Sequence, residues 1–366
     1  MKILITSKQY PYYGGSATNA YKLIKFLRTY HNTCGLYFNN EDVNVDPENL
    51  QGIFRTSHNS KIFETKDNIG VNNVLKYLGG VPDIVLCFNY YVPIISKNIF
   101  PKSKIVYMVV GSPTLTLGDN CCINNQISAN KFLKLENHSK YITKKFYDLE
   151  KKSIEFSDYI LVDHGELALN ILKKTFNDYF LKNDNYCYYD YSSVILRNEI
   201  ISKQLNYENK KYDLIIISSN WTRPVKNKDF YYKIFSYYKK LDKIVIGKNS
   251  DYFKDIPNTT IVDLVEYNTV LKYLCESKLL LICSFFESGP NIIIEGIHCK
   301  CQILTSNNVG KSYILNDYNL TNDVYDIDEW ITKINYILDN CNLRLPNINY
   351  NDNGFLNILN NILYLF

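Results

Sequence analysis

The chain has 366 residues, of which 46% are apolar and 21% charged, and a formal net charge of +4. That length exceeds one ordinary hydrophobic core and points to two domains. The mild charge, with no Lys/Arg block, gives no support to a nucleic-acid binder, and the apolar fraction argues against long disorder.

The elements begin with "KILITS" (2–7), an apolar run read as a buried strand. It follows Met1 directly, so no secretory leader is expected. A glycine-containing loop leads to a helix through "NAYKLIKFLRTY" (19–30). "TCGLYF" (33–38) reads as a strand and "NVLKYLGG" (73–80) as a helix ending on glycines. "DIVLCFN" (83–89), "KIVYMVVG" (104–111) and "SDYILVDH" (157–164) repeat the strand signal, the last after the polar helix "KKFYDLEKKSIEF" (144–156). This is a βαβ pattern with a largely parallel sheet. Between them, 112–145 is a long polar excursion containing Cys121 and Cys122, expected to act as a lid beside a binding cleft.

The pattern fades around 188–211, and "NYENKK" (206–211) reads as a linker. It restarts with the strand "YDLIIISS" (212–219), the helix "NKDFYYKIFSYYKKL" and the strand "KIVIGK" (243–248). "TTIVDLV", the helix "YNTVLKYLCES", and the strands "LLLICSF" (279–285) and "CQILTS" (301–306) follow. The expected division is 1–205, 206–345, and a C-terminal helix in 346–366 packing back on the first domain. Both domains are α/β, Rossmann-like and doubly wound, so their ligand sites belong at the carboxyl ends of the strands, facing each other across one cleft.

Three loops carry chemistry. In "ESGPNIIIEGI" (287–297), Glu287 follows a strand, and Gly289 and Pro290 are expected to start a helix. Its N-terminus would offer N–H groups to an anion. Glu295 lies about one and a half turns in, placed to accept from ligand hydroxyls. The competing reading is a loop acid and an exposed helix face. In "ISSNWTRPVKNKDF" (217–230), Arg223 and Lys226 stand in a second strand–helix loop, and two cations there suit a diphosphate. A solvated basic loop is the alternative. In "YPYYGGSATNA" (10–20), Gly14 and Gly15 allow close backbone approach, and Ser16 or Thr18 can cap the next helix; taken alone, this is a structural turn.

Together these loops resemble the retaining GT-B glycosyltransferases, and most closely glycosyltransferase family 4 (glycosyl transferases group 1). The family pattern is similar to "EGFPNVLLEAMACGxPV"; here it stands as "ESGPNIIIEGIHCKCQIL". The resemblance covers most of 212–338 and is looser in the first domain. It implies that Glu287 contacts the donor sugar and Glu295 the ribose. Arg223 and Lys226 would hold the diphosphate and stabilise the leaving group. Asn220, Ser288, Gly289 and the N–H groups of Asn291 and Ile292 would complete the donor set, with Gly14 and Gly15 approaching from the first domain. Ser288-Gly289 replace the usual Gly-Phe, and "RPVK" is shorter than the common "GRLxxxKG". The family's His–Asp pair falls on "VVGSPT", leaving Ser112 and His164 as candidate acceptor-side groups.

Several signals are read as structural. "DID" (326–328) precedes a helix and supplies an N-cap acid rather than a metal site. His298, Cys299 and Cys301 lack a second pair at zinc-ligand spacing. The ten cysteines include no CxxC, and Cys34, Cys87, Cys275 and Cys283 lie in apolar segments, so free thiols in a reducing cytoplasm are expected. No run reaches the roughly 18 apolar residues of a membrane helix, leaving at most peripheral membrane contact. The expected function is transfer of a sugar from a nucleotide sugar, UDP first, to a glycan, glycoprotein or glycolipid acceptor, with no cofactor and no metal. The rivals are a nucleotide-sugar epimerase, a phosphorylase, or a non-catalytic sugar- or nucleotide-binding protein.

Overall fold

The computed structural model describes residues 1–8, 15–38, 51–56, 58–59, 64–65, 68–116, 143–163, 165–190, 205–287, 289–346, 348 and 352–364. Gly14, His164, Ser288 and residues 117–142 of the polar excursion lie outside them. The chain forms two compact units.

The first unit comprises Met1–Leu115, Ile142–Ile195 and Asn351–Phe366. Its strands are β1 (Lys2–Ser7), β2 (Asn32–Phe38), β3 (Ile53–Thr56), β6 (Ile84–Phe88), β7 (Lys104–Met108), β8 (Tyr159–Val162) and β9 (Tyr186–Tyr188); β4 (His58–Asn59) and β5 (Glu64–Thr65) form a small separate pair. The seven form one sheet in the order β3-β2-β1-β6-β7-β8-β9, every pair parallel. Helices cover both faces of such a sheet, which is why "IVLCF" is buried at all five positions. Alternation still sorts the side chains: Val85 and Cys87 join Leu4, Cys34, Leu36 and Ile105 in one cluster.

The first helix spans Gly15–Leu27, four residues earlier than expected, so Gly15 opens a helix rather than a loop. The helix Ile69–Leu78 ends on Gly79 in the left-handed region at φ 68°, which a glycine adopts without a Cβ penalty. Helix Val92–Ile99 and strands β3 and β9 were not expected; each is short, at eight, four and three residues. The terminal helix Asp352–Tyr364 buries Phe355, Leu359 and Ile362, an i, i+4, i+7 stripe, and Tyr189 stacks on Phe355 at 5.9 Å.

A fully buried carboxylate closes the end of β7. Glu150, on the helix Lys144–Phe156, accepts from the Tyr107 hydroxyl at 3.0 Å, the Thr114 N–H at 3.0 Å, the Thr114 hydroxyl at 2.5 Å and the Ser112 hydroxyl. Burial raises its pKa above the ordinary 4.5, and these donors pull it only part of the way back. A carboxyl raised in the fold contributes stability below its unfolded pKa and loses it as pH climbs through the folded value. Glu150→Gln is therefore expected to gain on the wild type, in thermal midpoint, as pH rises from about 4.5 upward. A midpoint difference that stays flat or reverses across that range would contradict this.

The second unit includes Leu196–Tyr350. Its strands are β10 (Tyr212–Asn220), β11 (Lys243–Lys248), β12 (Thr259–Val262), β13 (Ser277–Ile282), β14 (Gln302–Ser306) and β15 (Leu320–Thr321). They form an all-parallel sheet in the order β12-β11-β10-β13-β14-β15. Ile215, Ile244, Ile246, Leu280 and Ile282 face one core, and Leu214, Ile216, Val245, Leu279 and Leu281 the other. Among the described residues, no helix is long and apolar enough to cross a membrane.

The expected linker 206–211 is partly anchored. Lys210 is 6% exposed, and its ammonium donates to the carbonyls of Cys275 (2.9 Å), Ser277 (2.9 Å) and Cys299 (3.4 Å). A polar run looked like solvated chain. Its lysine is instead the partner of three carbonyl oxygens from elements far along the sequence, which no local reading reveals.

Candidate functional site

In an open doubly wound sheet, a ligand crevice forms where the strand order reverses, outside the carboxyl ends of the two central strands. In the second unit that point lies between β10 and β13. The loops leaving them are 221–227 and 283–291, the two that the sequence singled out.

The first loop is held from below. Trp221 is 1% exposed; its N–H donates to the Lys248 carbonyl and its indole N–H to the Ile246 carbonyl, 3.0 and 3.1 Å. Its ring meets Tyr231 and Phe253 edge-on at 5.3 and 5.1 Å. Gly247 sits against this base at φ 130°, where an added Cβ would collide with the Ser218 carbonyl. The Asn220 Oδ1 accepts from the Thr222 N–H (2.9 Å), the Thr222 hydroxyl (2.8 Å) and the Asn249 amide (2.9 Å). Asn220 therefore shapes the turn with its oxygen. Arg223 precedes a 3-10 turn over Pro224–Lys226, ended by Asn227 in the left-handed region at φ 56°. Asn227 donates to the Cys283 carbonyl (3.0 Å), and Val225 accepts from the Phe285 N–H (2.9 Å), so the two loops are stitched together.

Glu287 is where three loops meet. Its main chain pairs with Val309 after β14: the Glu287 N–H donates to Asn308 at 3.4 Å and its carbonyl accepts from Gly310 at 2.7 Å. Its carboxylate accepts from the Lys226 ammonium and, at 3.1 Å, from the Ser284 hydroxyl. Both charged side chains are largely buried, 15% exposed for Lys226 and 19% for Glu287, so their attraction is less screened than at an open surface. The alternative of a loose, solvated basic loop does not describe Lys226.

The helix after Glu287 is shorter and later than expected. It runs Ile292–His298 with Asn291 as N-cap, leaving Gly289 and Pro290 in the preceding turn. Seven residues give only a short dipole, so side-chain charge dominates here. Ile293 through Ile297 are all buried, Glu295 at 7% exposed. Glu295 is thus not on an exposed helix face. Burial also holds the neighbouring His298 imidazole below its ordinary pKa.

Other expected positions divide by place. Ser112, in the first unit, is 1% exposed; it accepts from the Leu115 N–H at 3.1 Å and donates to Glu150, so its hydroxyl is committed to the fold. Asp326 caps the helix Ile327–Asp339 through the Asp328 and Glu329 N–H groups at 3.1 and 3.0 Å, as expected of an N-cap acid. Cys299 and Cys301 are buried free thiols, and the described residues contain no cluster of metal-ligand type. Sequence reading missed Ser284, Asn308, Gly310 and Trp221, which position the named residues through main-chain and hydroxyl contacts.

No known family profile matches the sequence, and no curated protein matches it. Solved structures do match. A lipopolysaccharide outer core galactosyltransferase, WaaB, aligns over 100% of this chain and 99% of its own, at TM-score 0.57 and 13% identity. Starch synthase IV from Arabidopsis thaliana aligns over 99% of each chain at TM-score 0.63 and 11% identity. HepE from Anabaena aligns over 93% and 91% at TM-score 0.59 and 10% identity. The chain has the GT-B fold. Two parallel, helix-covered sheets, each with its own switch point, are the halves of that fold. Within the GT-B architecture, the Lys226–Glu287 site occupies the switch point of the second half.

Proposed function

We propose that this chain is a glycosyltransferase that moves a sugar from a nucleotide diphosphate sugar, a UDP-sugar first, to a glycan or glycosylated acceptor with retention. The observation that carries this reading is the junction at the second switch point, where Lys226 meets Glu287 across two loops stitched by main-chain bonds. Among the similar structures, HepE is described with UDP, with UDP and glucose, and with UDP-glucose. Starch synthase IV is described with ADP and acarbose.

In this reading Lys226 and Arg223 neutralise the donor diphosphate and the charge that grows on it as the glycosidic bond breaks. Glu287 accepts from the sugar hydroxyls and Glu295 from the ribose. The main-chain N–H groups of Asn291 and Ile292 add donors, and Asn220 holds the cationic loop in shape. The first unit takes the acceptor. The anomeric carbon–oxygen bond to phosphate breaks as the bond to the acceptor oxygen forms on the same face. The acceptor proton passes to the departing phosphate. Two cations provide the charge compensation, so a bound metal is not part of the proposal.

Thermal-shift titration with UDP-, GDP- and ADP-sugars tests it. One class is expected to raise the melting midpoint, the stabilisation reaching about 2.7 kcal/mol at roughly 100-fold excess over Kd. No shift with any of them would overturn the donor-site reading. Binding without release of nucleotide diphosphate in the presence of glycan acceptors would leave a sugar-nucleotide binding protein instead.

A further inference from the structure

We infer that Glu287 discriminates sugar-loaded from bare nucleotide diphosphate, because its carboxylate occupies the ammonium that the diphosphate needs. The inference rests on the donor-site reading above and goes beyond it.

Lys226 gives its ammonium to Glu287. The carboxylate is held in that position from two further sides: the Ser284 hydroxyl donates to the same Oε1 at 3.1 Å, and the Glu287 main chain is pinned between Asn308 and Gly310. An incoming diphosphate must therefore compete for Lys226 and also tolerate a carboxylate within the reach of one ion pair. With both groups largely withdrawn from water, that like-charge contact is only partly screened.

A nucleotide sugar resolves the conflict, because its hydroxyl groups donate to the carboxylate just as the phosphate oxygens take over the ammonium. Each member of the ion pair receives a new partner. A bare nucleotide diphosphate supplies only one of the two, and leaves Glu287 charged beside an anion with only the Ser284 hydroxyl among its described side-chain partners. The pair thus favours the intact donor. After transfer, the acceptor carries the sugar away, Glu287 loses its hydroxyl partners, and re-forming the pair with Lys226 drives the spent nucleotide out. This is selection by a repulsive element as well as an attractive one.

The test is calorimetric titration of the full chain with UDP, GDP, ADP and inorganic pyrophosphate, comparing wild type, Glu287→Gln and Ser284→Ala. Glutamine keeps the shape and removes the charge. Glu287→Gln is expected to bind the preferred nucleotide diphosphate, and pyrophosphate, about tenfold more tightly than wild type. Ser284→Ala, which removes the carboxylate's other described side-chain donor and so ties it more strongly to Lys226, should shift in the opposite direction by a smaller factor. Equal or weaker binding by Glu287→Gln, with wild-type binding intact, overturns the inference and leaves the donor-site reading standing. Should Glu287→Gln fail to fold, unchanged or tighter binding by Ser284→Ala overturns it. If neither wild type nor either variant binds any of the four probes, the donor-site reading itself fails and the inference falls with it.

Discussion

Replacing Lys226 with methionine is expected to weaken nucleotide diphosphate binding by roughly 30- to 150-fold, the effect of losing one charge-assisted contact worth about 2–3 kcal/mol. Methionine keeps much of the aliphatic stem, so the Val225–Phe285 stitching beneath it stays in place. The change removes the ammonium and also leaves Glu287 with only the Ser284 hydroxyl among the side-chain partners described for it. Its carboxylate then repels the phosphates with no ammonium beside it. The sign is opposite to that expected for Glu287→Gln, although the two variants break the same ion pair. A mere loss of structural order would weaken binding in both. Calorimetry on the two variants side by side checks this, and a loss below about threefold for Lys226→Met would sink Lys226 as the diphosphate contact.

Gly247→Ala should unfold the second unit at temperatures the wild type tolerates. The position sits at φ 130°, where residues other than glycine are strained, and the new methyl would meet the Ser218 carbonyl oxygen. That oxygen belongs to the end of β10, which cannot withdraw without dragging Trp221 and the cationic loop. Strain and overlap together cost at least about 3 kcal/mol, a large share of the 5–15 kcal/mol typical of a folded domain. A fall in melting midpoint of roughly 10 °C is expected. A variant melting within about 2 °C of wild type would show that β10 and β11 separate more easily than their packing suggests.

Much of this was legible in the sequence. Strands buried on both faces announce themselves as continuous apolar runs, and "IVLCF", "LIII" and "LLLI" allowed little else. The polar helix 144–156 was legible to the residue, because it is long and periodic. The switch-point loops stood out because charged residues followed directly on such runs. What escaped was decided at long range. Lys210 looked like solvated linker because its three carbonyl partners lie at least 65 residues away. Ser284 and Asn308 carry no motif, and their importance lies in which main-chain groups they reach. The helix 292–298 begins later than Pro290 suggested, with Asn291 as its N-cap. Glu295, an acid in an apolar run, is buried along with Ile293, Ile294 and Ile297.

The chain contains two tryptophans, Trp221 and Trp330, both at most 1% exposed and both in the second unit. The first unit is rich in tyrosine and has none. Indole emission, excited where tyrosine is silent, is therefore a reporter of one half of the molecule. Melting of the first unit would pass unseen in that channel and appear only in circular dichroism, so two optical signals separate the transitions of an intact chain without cutting it. Trp221 is also the residue from which the cationic loop departs. Its emission, quenched or shifted on titration, gives a label-free readout of ligand arrival at Lys226.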